Sequence, residues 1–379
     1  MFSAHTYRQR REALRNRMAG GLVLFLGNGE SPVNFADNVY PFRQDSSFLY
    51  YWGLDRPDLA GLIDVDAGTE TLFGDDLDLN AQVWTGPIAA LALAGEAVGV
   101  DAVRPLDALA KETTRARTAG RPIHILPPYR DQQRLLLARL LDHPPGTLLD
   151  LVSTSLVAAV IVQRSVKSAD EIAEIEAALS VTREMHLAAM ARSQSGRHEY
   201  EVAATIKARC YAAGGLRLAF APILTVSGEI LHNPHHRQQM SDGQLVLNDS
   251  GAASARHYAS DITRTFPVSG TFSTRQKEIY SVVLDAQTRA IEMIRPGVAY
   301  REVHMAAVTR IALGLVDLGL MSGDPAEIVA ECDRYIRRLA QRELRDAVAL
   351  AKKLEKRVRK EEKPVRGAAL RTLAWVQHL

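Results

Sequence analysis

Asp249 and Asp261 stand twelve positions apart, each at the margin of a short β-prone run. Gln244–Leu247 reads as a strand closed by the turn-forming cluster Asn248-Asp249-Ser250-Gly251, and Ile262–Phe266 follows directly on Asp261. A hairpin with that spacing brings the two carboxylates side by side. Facing carboxylates repel unless a shared proton or a cation lies between them. Hard oxygen ligands of this type suit a dinuclear divalent-metal site. A turn aspartate beside a surface-strand aspartate satisfies the same spacing, so the pair by itself leaves both readings open.

The residues around the pair carry a resemblance. The segments LVLNDSGA (245–252) and HYASDITRTFPVSG (257–270), with GEILHN (228–233) upstream, resemble the metal-binding half of the aminopeptidase P group, the Xaa-Pro aminopeptidases of the pita-bread metallopeptidase family. Further upstream, NVYPFRQDSSFLYYWG (38–53) is similar to a segment of the creatinase-type N-terminal domain of the same proteins. The likeness implies that Asp249 and Asp261 are metal ligands and that His232 orients substrate. It implies two divalent metal ions, manganese being the expected element. Peptides with proline in second position are the implied substrates, and a homo-oligomer the implied assembly. Metal-free relatives that act on creatine share the fold, but the retained aspartate pair argues against that branch.

Which elements would hold these residues? Tyr7–Met18 reads as an amphipathic helix with Arg8, Arg11 and Arg15 on its wet side. The apolar run Leu22–Leu26 between glycines has the pattern of a strand covered on both faces. Further strands are expected at Ser47–Tyr51, Ala60–Asp64, Thr69–Phe73 and Pro122–Leu126, with helices around Asp107–Arg115, Arg130–Leu141 and Asp150–Gln163. Alternating strands and helices predict an α/β fold class, beginning with a layered αβα domain on a mixed sheet. Ser168 and Glu171 form a capping box opening a helix whose apolar stripe is Ile172, Ile175, Leu179, Val181 and Met185. Helices are expected again at Glu199–Tyr211, Thr274–Ile294 and Tyr300–Gly319. The expected domains are 1–155, creatinase-type; 156–330, the first half of a pita-bread domain with α+β character; and 331–379, a helical tail.

The resemblance ends near Ala330. The later His ligand, two Glu ligands and proton-handling His of the family have no counterpart in this sequence. Instead 331–379 holds fourteen Lys and Arg against seven Asp and Glu, with Ile336, Leu339, Leu344, Val348, Ala351, Leu354 and Val358 on one helical stripe. Two divalent ions bring four positive charges, and two aspartates return only two negative ones. The expected function is therefore an Xaa-Pro aminopeptidase-type metallopeptidase that is impaired in this chain, or else a non-catalytic family member serving as an oligomerisation or interaction protein.

Composition narrows the classes further. The chain has 379 residues, is 47% hydrophobic and 24% charged, and carries a formal net charge of +2, as ordinary soluble globular proteins do. Cys210 and Cys332 make no disulfide framework. The basic, polar N-terminus lacks the apolar core of a secretory signal, and no apolar run approaches the roughly 18–20 residues of a membrane helix. The expectation is a cytoplasmic protein without membrane association. Sparse aromatic interleaving in the basic tail argues against a nucleic-acid partner.

Overall fold

The computed structural model describes residues 1–334, except 215, 231 and 234, together with residue 338. These separate into two compact units, Met1–Lys167 and the residues from Ser168 onward.

The first unit contains α1 (Ala4–Arg15), β1 (Leu22–Leu26), β2 (Pro32–Phe35), β3 (Asn38–Val39), α2 (Ser46–Trp52), β4 (Ala60–Asp64), β5 (Thr69–Phe73), α3 (Leu79–Thr85), α4 (Leu91–Val98), β6 (Ala102–Arg104), α5 (Ala108–Thr118), β7 (Ile123–Ile125), α6 (Asp131–Leu141) and α7 (Thr154–Ser165). Five strands form a mixed sheet in the order β6-β5-β4-β1-β7. The outer pairs are parallel and the inner pairs antiparallel. Every residue of β1 is buried, because its alternate side chains serve two cores. Val23 and Phe25 pack with residues of α1, α2, α4 and α7, while Leu22, Leu24 and Leu26 pack with α5 and α6. The result is the expected αβα sandwich. Because α7 adds Leu156, Ala159 and Val160 to the first of these cores, this unit continues past residue 155 to Lys167.

Two local expectations fail here. Ser46–Trp52 is a helix, not a strand. The Asp45 carboxylate caps it on the Phe48 N–H at 2.8 Å, and Gly53 ends it in the left-handed conformation at φ 66°. Its aromatic residues bury Phe48, Tyr51 and Trp52 on one helical face, an arrangement that a count of β-prone residue types does not detect. Arg11, placed on the wet side of α1, is fully buried. Its Nε donates to Glu70 at 2.5 Å and its other nitrogens to the carbonyls of Tyr51, Val98 and Gly99.

The second unit contains α8 (Ala169–Arg192), α9 (Glu199–Ala212), β8 (Arg217–Leu218), β9 (Ile223–Thr225), β10 (Leu245–Ser250), β11 (Ala252–Ala253), β12 (Ile262–Pro267), α10 (Thr274–Met293) and α11 (Tyr300–Asp317). The order β12-β10-β9 makes an antiparallel sheet, and β11 pairs with β8. Met185 and Ala189 of α8, and Val202, Ala203 and Ile206 of α9, pack on Leu224, Val246 and Phe266 of the sheet. The capping box of Ser168 and Glu171 opens α8 as expected. Helices α10 and α11 form a hairpin in which Gly314 admits Val282; a Cβ there would lie 2.4 Å from a Val282 methyl. Residues 325–334 are helical. The expected tail helix otherwise falls outside the described residues. No helix among the described residues is long and apolar enough to cross a membrane.

Candidate metal centre

Strand β10 runs through the residues read as a turn. Asn248, Asp249 and Ser250 pair with Arg264, Thr263 and Ile262, and Asp249 also faces Ile223 on β9. A ladder on each side outweighs the turn preference of Asn, Asp and Ser. Along β10, Val246, Asn248 and Ser250 are fully buried toward the helices, while Leu245, Leu247 and Asp249 are half-buried on the opposite face. Asp261 precedes β12 and lies two residues from Thr263. The pleat therefore puts it on the face of Asp249, as its diagonal neighbour.

The connection between the strands makes this approach possible. At Gly251 a Cβ would lie 1.8 Å from the Ser260 carbonyl oxygen, so only glycine lets the two backbones pass so close. Residues 252–260 then fold back on themselves. The Ser254 N–H donates to the Tyr258 carbonyl at 2.8 Å, the Ser260 N–H donates to the Ala252 carbonyl at 2.9 Å, and His257 turns the chain at φ 64°. This closed miniature hairpin delivers Asp261 to its place.

Burial raises the Asp249 carboxyl above the usual carboxylate range; the Thr263 side chain pulls it down, and the adjacent Asp261 carboxyl pushes it up again. His232 acts on it too, in the lowering direction. The structure thus brings Asp249 and Asp261 to one side of the sheet; His232, near enough to act on Asp249, lies exposed on the loop after β9. That loop is tied at both ends by Glu199, a fully buried residue at the start of α9. Its carboxylate accepts the N–H groups of Val226 at 2.9 Å and Gln238 at 3.1 Å.

Do these residues fit a divalent cation? Asp249 Oδ1 is buried and has no hydrogen-bond partner. An unpaired carboxylate oxygen beside a second carboxylate is a fitting position for a hard cation. Completing the coordination takes roughly four to six ligands per ion, and among the described residues no group of three or more His, Cys, Asp and Glu converges. Asp249 and Asp261 fit as oxygen donors to such an ion.

Reading the sequence missed what stands behind this pair. On α8 the buried face is Ala178, Thr182, Met185, His186 and Ala189, whereas Ile172 of the expected apolar stripe is exposed. Thr182 and His186 reach the polar side chains of Ser260, Asn248 and Ser250. The available signal was a Thr and a His four apart within a helix, matched to polar positions alternating on β10.

Comparison with known proteins agrees with the geometry. Metallopeptidase family M24 matches residues 173–352, and the aminopeptidase P N-terminal domain matches residues 7–124. The Xaa-Pro aminopeptidase of Escherichia coli (strain K12) is 30% identical over 340 residues, covering 87% of this chain and 77% of that protein. A probable Xaa-Pro aminopeptidase of Fusarium vanettenii is 31% identical over 328 residues, covering 84% of this chain and 66% of that protein. Among solved structures, proline aminopeptidase P II from Yersinia pestis superposes with a TM-score of 0.78 at 29% identity, covering 88% of this chain and 78% of that one. Zinc-substituted Escherichia coli aminopeptidase P in complex with product gives 0.76 at 28% identity, with the same coverage. From its two matched domains, the carboxylate pair at β10 and the start of β12 and these relatives, the chain belongs to the Xaa-Pro aminopeptidases of metallopeptidase family M24.

Proposed function

We propose that this chain is an Xaa-Pro aminopeptidase-type metallopeptidase directed at peptides with proline in second position, and that its 379 residues by themselves release the N-terminal residue poorly. The observation that carries the reading is the unpaired Asp249 oxygen beside Asp261 on one sheet face. Asp249 and Asp261 would hold divalent ions, manganese being the metal we assign. Such ions supply Lewis acidity toward a carbonyl when bound. We assign His232, exposed on its loop, to orienting the peptide. Impairment follows from coordination: one His and two Glu ligands expected from the family have no counterpart, and two carboxylates do not preorganise two ions. We assign the protein to the cytoplasm.

A second reading, a non-catalytic family member that works by association, is favoured by one feature. Helix α10 exposes Ile279, Val283 and Ile291, with Ile294 just beyond it. Among the described residues β12 is also the edge of its sheet. Apolar rows and open edges favour assembly, and a homo-oligomer is the partner we assign.

Hydrolysis of an Xaa-Pro peptide by the full chain with added manganese tests both. We expect slow, metal-dependent turnover that disappears in Asp261→Ala. Fast turnover would overturn the impairment. Complete absence of turnover in a stable oligomer, sized by light scattering, would favour the second reading.

A further inference from the structure

Helix α8 meets the ends of both carboxylate-bearing strands from behind, through two side chains one helical turn apart. Thr182 and His186 are both buried. Thr182 Oγ1 accepts the Ala252 N–H at 2.9 Å and lies 2.6 Å from Ser260 Oγ, whose hydroxyl donates to the Ala252 carbonyl at 2.8 Å. Thr182 Oγ1 also has the Ala178 carbonyl of its own helix at 3.0 Å; when its one proton goes to Ser260 instead, the contacts close a ring: Ala252 N–H to Thr182, Thr182 to Ser260, and Ser260 to the Ala252 carbonyl. Ser260 is the residue before Asp261, and Ala252 is three residues past Asp249.

His186 anchors the other strand. Its Nδ1 is 3.0 Å from Asn248 Nδ2, and its Nε2 is 3.4 Å from both the carbonyl and the hydroxyl oxygens of Ser250. With the Asn248 amide turned so that Nδ2 donates to Nδ1 and Oδ1 is left buried without a partner, the imidazole carries its proton on Nε2; burial favours its neutral form. Asn248 and Ser250 flank Asp249. Each carboxylate is therefore fixed through its neighbours by a separate polar anchor, and a single rigid turn of α8 carries both anchors.

We infer that Thr182 and His186 are positioning residues that set the separation and direction of Asp249 and Asp261, so the cation-facing side of the sheet is built from its back. This rests on the reading of the two aspartates as metal ligands. A merely structural role would lower thermal stability and leave the carboxylates where they are.

The test compares the full-length chain with Thr182→Val, Thr182→Ser and His186→Leu. Manganese binding is followed by electron paramagnetic resonance, and crystal structures are determined without metal. Thr182→Val should weaken manganese binding roughly tenfold, the lower range for groups that orient ligands, and should displace the Asp261 carboxylate. Thr182→Ser should restore both. His186→Leu should displace Asp249 instead. Folded Thr182→Val protein with wild-type carboxylate positions and wild-type affinity would overturn the inference. If wild type and Asp261→Asn bind manganese equally or not at all, the metal reading fails. The carboxylate positions then still decide: displaced in Thr182→Val supports positioning, unmoved refutes it.

Discussion

Glu199 is fully buried at the first position of α9, and its two oxygens accept N–H groups from Val226 and Gln238, the two ends of the loop that carries His232. Glu199→Gln keeps the shape but leaves one acceptor oxygen, and its amide nitrogen then faces a second donor. A hydrogen bond to a charged group contributes about 1.5–3 kcal/mol, and an unsatisfied buried donor costs about 1–3 kcal/mol. Allowing for partial relaxation of the loop, the net loss is about 2–4 kcal/mol for seating residues 226–238. At about 1.4 kcal/mol per factor of ten, the amides of Val226 and Gln238 should exchange with solvent about 30- to 700-fold faster. Hydrogen exchange by mass spectrometry or NMR reads this directly. Exchange within about threefold of wild type would refute the claim that this carboxylate seats the loop.

Three further outcomes follow from the same structure. Arg11→Met strands the buried Glu70 carboxylate and removes a donor from the carbonyls of Tyr51, Val98 and Gly99, the last keeping Arg8, so urea denaturation should show a loss of about 3–5 kcal/mol, much of it recovered when Glu70→Leu is added. Burial lowers the pKa of His186 from 6.5. The unfolded chain then binds the extra proton first, and stability should fall by up to about 2 kcal/mol between pH 7 and pH 5. In His186→Leu that slope should flatten, as thermal melts across the range would reveal. For Asp249 the sign is reversed: its pKa is raised by burial and by Asp261, so without metal the ionised form strains the fold as pH rises above the ordinary carboxylate range. Asp249→Asn should therefore gain about 0.5–2 kcal/mol at pH 7 in EDTA while losing manganese binding.

The parts legible in the sequence were those specified locally. The apolar run of β1 and the capping box at Ser168 each carry their structure in a few adjacent residues. Asp249 and Asp261 stood out as candidates by their spacing, and the resemblance of the segments around them pointed to metal ligands. The failures share a cause, since each depended on partners distant in sequence. Asn248-Asp249-Ser250 has turn composition, but ladders from β9 and β12 hold it extended. Arg11 belongs by pattern on a wet helix face, and only Glu70 and the ends of α2 and α4 make its burial tolerable. Thr182 and His186 of α8 lie outside the expected apolar stripe, and strand residues more than sixty positions away explain their burial. The tail's apolar stripe, from residue 336 to 358, lies outside the described residues.

Metal content of the purified full-length chain after dialysis tests the central claim most directly. The account predicts that manganese is not retained as a stoichiometric pair, and that weak binding at added millimolar metal (~1 mM) vanishes in both Asp249→Asn and Asp261→Asn. Two equivalents of a transition metal retained per chain would contradict it, because ligands for a complete dinuclear centre would then have to come from residues other than those on this sheet face.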